Sequence, residues 1–364
     1  MAKVTFGDIA KECRSTYKGD KSGIPIVGLE HIEPQNMLVR NFEVDTENTF
    51  TKSFKKGQVL FGRRRAYQQK AGVATFDGIC SGDITVIEAI PEKVDIGLLP
   101  FIVQNEAFFG HAVQGSAGSL SPRVKWEHLA SYEIELPSLS EQKVLADKLW
   151  VAYRLKESYK RLLAATDEMV KSQFIEMFGD PVTNPKGWKT GKIKDVAPES
   201  PSKESLEGKV WLLNLDMIES NTGKVIEKVF EDSENALSVQ AFDKGNVLFS
   251  KLRPYLNKVV IPDEPGLATT ELVPLRPKGD VLHKVFLSHL LRGDQFVNFA
   301  NDISSGTKMP RMPLRELRKF ECILPPMEEQ MKFVSIAEQA DKSKFELRKS
   351  IDAIDAVIKS LINN

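Results

Sequence analysis

The residues with the clearest chemical pattern in this sequence are positively charged and lie in one short segment. No acidic residue occurs between Thr51 and Phe76. The cationic side chains of the segment are Lys52, Lys55, Lys56, Arg63, Arg64, Arg65 and Lys70. Such a cluster can bind phosphate, although a run of charges is more often a solvated face. The whole chain has 50 basic and 50 acidic residues, so any attraction for a polyanion must be local.

This segment occurs twice in the chain. The stretch from Phe54 to Tyr67 is matched 188 residues later by the stretch from Phe242 to Tyr255, with eight of the fourteen positions identical. Other stretches related by the same offset are Ser121–Arg123 with Met309–Arg311 and Leu136–Gln142 with Leu324–Gln330. Self-similarity at a fixed offset predicts two copies of one structural module.

Each copy has a globular part and a helical part. The globular parts are residues 1–138 and 179–326, and the helical parts are residues 139–178 and 327–364. In the globular parts, short apolar runs alternate with glycine-rich turns, which is typical of strands between loops. The predicted fold class is α+β, with two tandem, pseudo-symmetric mixed α/β domains separated by two long helices.

A heptad pattern predicts how the two long helices pair. In the second helix the apolar residues spaced by seven are Phe333, Ala340, Leu347, Ile354 and Leu361, and subtracting 188 gives the same register in the first. Such a pattern is typical of a coiled coil, so we expect the two helices to form an antiparallel coiled coil within one chain. At 1.5 Å per residue each helix would be about 55 Å long, which suits a spacer.

One lysine interrupts each of these apolar seams, Lys156 in the first helix and Lys344 in the second. A single polar residue in a seam can fix the register and orientation of a coiled coil. A lysine can also lay its aliphatic stem along the seam and extend its ammonium group into solvent. The sequence favours the second explanation but leaves both open.

The sequence contains no recognisable catalytic or metal-binding signature. The segment Gly187–Lys192 has one residue too few between its glycines for a phosphate-binding P-loop, and no HExxH motif occurs. Cys13, Cys80 and Cys322 lie far apart, which favours reduced thiols over a disulfide framework or a zinc site. We therefore predict no catalytic residue, no metal site and no bound cofactor in this chain.

The hydropathy of the chain gives no sign of a membrane protein. No run approaches the roughly 18 apolar residues of a transmembrane helix, and the first residues lack the apolar core of a signal peptide. We expect a cytoplasmic protein with no membrane partner.

The order of the parts is similar to that of a known family. A Leu-Pro-x-x-x-Glu-Gln phrase opens each long helix, and the phrase Lys171–Gly179 closes the first. A globular part, a long helix, a second globular part and a second long helix, in this order and with these phrases, resemble the specificity subunit of type I restriction-modification systems. The resemblance covers essentially the whole chain.

That resemblance implies a function and a set of partners. Each globular part would be a target-recognition domain for one half of a split site in double-stranded DNA. The helices would bind two methyltransferase subunits, and restriction subunits that translocate and cleave DNA would join them. S-adenosylmethionine, ATP and magnesium would be bound by these partners, and this chain would be a non-catalytic subunit.

If the two domains recognise different half-sites, the repeat sorts the candidate DNA-binding residues into two classes. Positions retained in both copies should be scaffold or phosphate contacts, whereas positions that differ should contact bases. The retained pairs are Arg63 with Lys251, Arg65 with Arg253, Tyr67 with Tyr255, Lys70 with Lys258, and Arg123 with Arg311. Arg64, which is opposite Leu252, belongs to the second class, and the two tyrosines could equally be core residues.

Two other functions remain open from the sequence. The chain could be a scaffold in which two repeated domains bind proteins and the coiled coil serves as a rod. It could also be an enzyme whose active site has no recognisable motif. A DNA-binding chain should show an affinity that falls steeply with salt, whereas neither alternative requires this.

Overall fold

The computed structural model describes residues 2–204, 206–232, 238–306 and 308–363. The chain divides into two compact units: unit 1 comprises Met1–Lys160 with Lys349–Asn364, and unit 2 comprises Arg161–Arg348. Each unit therefore contains one globular part and a portion of both long helices. The predicted globular and helical parts follow the repeat in the sequence. The compact units are a different division, because each of them includes part of both long helices.

Unit 1 combines several small sheets with short helices and the start of a long one. Its strands are β1 (Ala2–Thr5), β2 (Ala10–Cys13), β3 (Ile26–Val27), β4 (Leu38–Val39), β5 (Lys52–Phe54), β6 (Val59–Gly62), β7 (Ala71–Ala74), β8 (Gly78–Cys80), β9 (Ile84–Ala89) and β10 (Glu133–Leu136). Its helices are α1 (Phe6–Ile9), α2 (Leu99–Gln104), α3 (Glu106–Gln114), α4 (Trp126–Ala130) and the first part of α5 (Leu139–Phe178). The main sheet has the order β2-β9-β6-β7-β4, beside the smaller sheets β3-β8-β5 and β1-β10.

Unit 2 has a related plan, although its sheets differ from those of unit 1 in strand number. Its strands are β11 (Thr190–Lys192), β12 (Lys209–Leu213), β13 (Val229–Asp232), β14 (Val239–Phe242), β15 (Val247–Ser250), β16 (Val259–Val260), β17 (Gly266–Thr269), β18 (Leu272–Leu275) and β19 (Glu321–Ile323). Its helices are the second part of α5, α6 (Ile193–Val196), α7 (Lys284–Arg292), α8 (Asp294–Asp302), α9 (Leu314–Lys319) and the first part of α10 (Met327–Asn363). The sheets have the orders β13-β12-β17-β14, β16-β15-β18 and β11-β19.

The long helices are bound into each unit by aromatic and aliphatic packing. In unit 2, Phe174 of α5 lies 5.2 Å from Phe333 of α10 between ring centroids, and both are buried against Phe286 of α7. In unit 1, Leu149 of α5 belongs to the buried core, against which Ile358 near the end of α10 packs. Burial of this kind is the main favourable contribution to folding.

The lysines in the seams pair with aspartates of the opposite helix. Lys344 Nζ donates to Asp167 Oδ1 at 2.7 Å in unit 2, and Lys156 Nζ contacts Asp355 Oδ1 in unit 1. The side chain of Lys344 is only 8% exposed, so its ammonium group does not extend into solvent. In unit 2, Asp167 of α5 contacts Lys344 of α10. Phe174, which is later on α5, contacts Phe333, which is earlier on α10. The predicted antiparallel pairing is thereby confirmed, and the ion pairs favour a role in fixing register.

The repeated Glu-Gln phrase has a structural explanation. Gln142 and Gln330 are buried near the start of α5 and α10. Gln142 Oε1 accepts a hydrogen bond from the backbone of Asp95 at 2.9 Å, and Gln330 Oε1 accepts one from the backbone of His283 at 2.9 Å. Each side-chain amide also donates to a carbonyl just before its helix. The phrase therefore attaches each long helix to its own globular part.

The structure confirms the predicted mixed α/β class and the two long helices. Within the described residues, no helix is both long and apolar enough to span a membrane. Cys13, Cys80 and Cys322 are free thiols, and burial raises the pKa of Cys80 and of Cys322 to about 12.

Candidate nucleic-acid interface

The candidate residues lie in two equivalent turns, one in each unit. Basic turn 1 is Arg63–Lys70, which connects β6 to β7, and basic turn 2 is Lys251–Lys258, which connects β15 to β16. Both strand pairs are antiparallel. Each turn is therefore the connection of a hairpin whose strands are fixed by the core, so that its side chains are held by rigid elements.

Both basic turns contain residues in the left-handed backbone region. The φ angles are 54° at Arg65 and 52° at Gln69 in turn 1, and 49° at both Arg253 and Asn257 in turn 2. A short 3-10 helix lies between each pair. Residues other than glycine cost roughly 1–3 kcal/mol in such conformations, and these persist only where the surroundings enforce them. Strain kept at the same positions in both copies marks the turns as functional candidates.

A neighbouring loop holds each basic turn in this conformation. The backbone N–H of Arg65 donates to the carbonyl of Pro122 at 2.8 Å, and that of Arg253 donates to the carbonyl of Pro310 at 2.7 Å. The residues that follow these prolines are Arg123 and Arg311. The turn and the retained arginine outside it are thus brought together in each unit.

The side chains of Arg63, Arg65 and Arg253 have few protein partners. Arg65 Nη2 makes one long contact of 3.4 Å to the carbonyl of Leu120, and none of the described groups accepts a hydrogen bond from the side chains of Arg63 or Arg253. The Nε atoms of Arg63, Arg65 and Arg253 are buried without a partner. Contact of these arginines and of Lys251 with phosphate remains a prediction. The small number of protein partners of the three arginines is compatible with it.

The two tyrosines are surface residues. Tyr67 is 57% exposed and Tyr255 is 49% exposed, so neither is part of the core. The hydroxyl group of an exposed tyrosine can donate a hydrogen bond to a phosphate oxygen. Their contact with DNA remains a prediction.

The two retained lysines have protein partners. Lys70 Nζ donates to the carbonyl of Leu29 at 2.7 Å, and Lys258 Nζ donates to the carbonyl of Leu215 at 2.6 Å. Burial lowers the pKa of Lys258. These bonds give both lysines a scaffold role, one of the two roles expected of retained positions, and phosphate contact by them remains a prediction.

Arg64, Arg123 and Arg311 each bind a carboxylate. Arg123 Nε donates to Asp83 Oδ1 at 2.6 Å, and Arg64 Nη1 lies 3.4 Å from the other oxygen of the same group. In unit 2, Arg311 Nη2 donates to Glu271 Oε1 at 3.1 Å. Burial would raise the pKa of Asp83, but hydrogen bonds and charge from Arg123 and Arg64 bring that pKa below its ordinary value.

The sequence pattern did not identify Asp83 and Glu271 as site residues. Asp83 lies 40 positions from Arg123, and Glu271 lies 40 positions from Arg311. The only available signal was that the two acids are themselves 188 residues apart, like the arginines they bind.

The comparison with protein families decides the family. The model of the type I restriction modification DNA specificity domain matches residues 2–164 and 185–354. The chain belongs to this family.

Both matched ranges of the specificity family include a basic turn. A similar protein of known name is the EcoDI specificity subunit of Escherichia coli, a type I restriction enzyme subunit, with 23% identity over 292 residues. That match covers 68% of this chain and 65% of the relative. The MjaIX specificity subunit of Methanocaldococcus jannaschii is 24% identical over 193 residues, covering 50% of this chain and 44% of the relative. The chain thus matches less than two thirds of the length of either relative.

Solved structures support the family's fold. A type I restriction-modification S subunit from M. genitalium matches with a TM-score of 0.59 at 12% identity, covering 99% of this chain and 94% of that one. A chain from a structural study of assembly and conformational transition in a type I system matches with a TM-score of 0.54 at 18% identity, covering 100% and 96%. At these identities the likeness establishes the fold alone.

Over the described residues, the basic turns included, no group of histidine, cysteine, aspartate and glutamate is arranged to hold a metal ion. The described turns provide guanidinium and ammonium donors and exposed aromatic rings, and carboxylates outside the turns bind the neighbouring arginines Arg123 and Arg311.

Proposed function

We propose that this chain is the DNA-recognition subunit of a type I restriction-modification system. Each unit recognises one half of a bipartite site in double-stranded DNA through its basic turn and the adjacent arginine. The observation that carries this proposal is the repetition of one strained, arginine-bearing turn at equivalent positions in two units. One frame used twice suits a site with two halves.

The proposed subunit performs no catalysis itself. Methyl transfer and DNA cleavage belong to partner methyltransferase and restriction subunits, which supply S-adenosylmethionine, ATP and magnesium sites. We propose two methyltransferase subunits, because the helix starts and the globular plan occur twice in the chain. The cytoplasm is the compartment where such a complex would meet its DNA.

Equilibrium binding of the purified chain to duplex DNA at different salt concentrations tests this function. With two or more phosphate contacts, the affinity should fall about tenfold or more between 50 and 200 mM salt, because counterions are released on binding. The chain alone should neither methylate nor cleave the duplex. Absence of binding, or binding that does not change with salt, would favour the protein scaffold, and activity of the chain alone would favour an enzyme.

A further inference from the structure

The carboxylates bind their arginines by the same edge in both units. In unit 1, Arg123 uses Nε and Nη2, with Nε at 2.6 Å and Nη2 at 3.4 Å from the two oxygens of Asp83. In unit 2, Arg311 also uses Nε and Nη2, at 3.2 Å and 3.1 Å from Glu271 Oε1. The acid therefore occupies the side of the guanidinium group in each case.

This arrangement leaves the terminal fork of each arginine available. A guanidinium group has five N–H donors, and the fork of Nη1 and Nη2 presents two parallel ones. Within the described chain, no group accepts a hydrogen bond from Nη1 of Arg123 or of Arg311. Their side chains are 46% and 47% exposed. Both arginines can thus donate two parallel hydrogen bonds to a ligand while the acid fixes their direction.

The ion pair at each fork favours a base edge over a phosphate, because the acid offsets charge of the arginine that carries the fork. Glu271 cancels the charge of Arg311, so that this pair has little net attraction for an anion. Asp83 likewise cancels one of the two charges of Arg64 and Arg123. The affinity gained by counterion release at a phosphate depends on uncompensated charge, whereas contact with the N7 and O6 atoms of guanine depends on two directed donors.

We infer that Arg123 and Arg311 each contact a guanine in one half-site, and that Asp83 and Glu271 are positioning residues for them. This inference rests on the proposed function and replaces the phosphate contact expected from retention of the two arginines. The two half-sites would then have one element in common, a guanine at the position that the arginine fork of each unit contacts. Differences between the half-sites then come from positions such as Arg64, which has no cationic equivalent in unit 2.

Selection from a pool of randomised duplex DNA, followed by sequencing, tests the inference. Arg123→Ala should remove the preference for guanine at one position in one half-site and leave the other half-site unchanged. Arg311→Ala should do the same in the other half-site. Each loss should be roughly 5- to 100-fold in enrichment, the usual discrimination of one bidentate contact.

Substitutions of Asp83 and Glu271 test whether these acids position the arginines or only stabilise the fold. Asp83→Asn should reduce the enrichment of guanine at that position and also steepen the dependence of affinity on salt by about one charge, because a compensating acid is lost. Asp83→Glu should retain the preference, since Glu271 holds the equivalent place in unit 2. Glu271→Gln and Glu271→Asp form the matched pair, and thermal unfolding of each variant checks that it is folded.

The inference would be overturned if Arg123→Ala weakened binding to all DNA sequences equally and made the dependence of affinity on salt shallower. Loss of a phosphate contact would have these two effects. It would also fail if folded Asp83→Asn kept the full preference for guanine. If an acid variant does not fold, the alanine variants of the two arginines decide the question. A wild-type chain that enriches no sequence would instead contradict the proposed function.

Discussion

Replacing both Arg65 and Arg253 by glycine is expected to weaken binding to all duplex sequences by roughly 100-fold. Each arginine is retained in both copies, and the only contact of their terminal nitrogens within the described residues is the long one from Arg65 Nη2 to the carbonyl of Leu120. A hydrogen bond to a charged group contributes about 1.5–3 kcal/mol. Glycine suits these positions because their φ angles are 54° and 49°, so removal of the side chain should not strain the backbone. The salt dependence should become shallower by about two charges.

The matched control for this double variant is Lys18→Ala with Lys203→Ala. Both lysines are exposed and lie outside the basic turns, so the control removes the same formal charge. Its affinity should change little. The assignment of Arg65 and Arg253 to phosphate would be wrong if the glycine variant kept its affinity, or if it changed the preferred sequence without losing affinity.

Phe333→Ala is expected to destabilise unit 2 by about 3–5 kcal/mol, the usual cost of truncating a buried aromatic side chain. The ring is fully buried, and its centroid lies 5.2 Å from that of Phe174 and 5.8 Å from that of Phe178 on α5. Its removal opens a cavity in the contact between α5, α10 and the globular part. Chemical denaturation, with hydrogen exchange of the amides in α7 and α10, measures the effect.

Phe345→Ala provides the control, because Phe345 is on the same helix but is 65% exposed. Its substitution should change the free energy of unfolding by less than about 1 kcal/mol. Equal effects of the two substitutions, or a loss below 1 kcal/mol for Phe333→Ala, would show that the helices do not pack as described.

The repeat made much of the fold predictable from the sequence. An offset of 188 residues placed the two basic turns at equivalent positions, and the heptad spacing placed the two long helices. The repeat is recognised from identity between two stretches of the chain, and the helices from the spacing of apolar residues. Neither signal requires knowledge of which distant residues are in contact.

What the sequence did not reveal depends on contacts between distant residues or on backbone conformation. The bond from Arg123 to Asp83 requires the sheet to bring two loops together, and nothing near either residue indicates it. The left-handed conformations at Arg65 and Arg253 could not be predicted, because neither position is a glycine. The partner of Lys344 on the other helix lies 177 positions away, so the sequence favoured solvent exposure of this lysine.

Sequencing of DNA selected by the wild-type chain from a randomised duplex pool tests the central claim most directly. Two units that each recognise a half-site predict an enriched motif with two short specific blocks, separated by a spacer of fixed length and no preferred sequence. A single continuous motif, or no enrichment over the starting pool, would contradict the account.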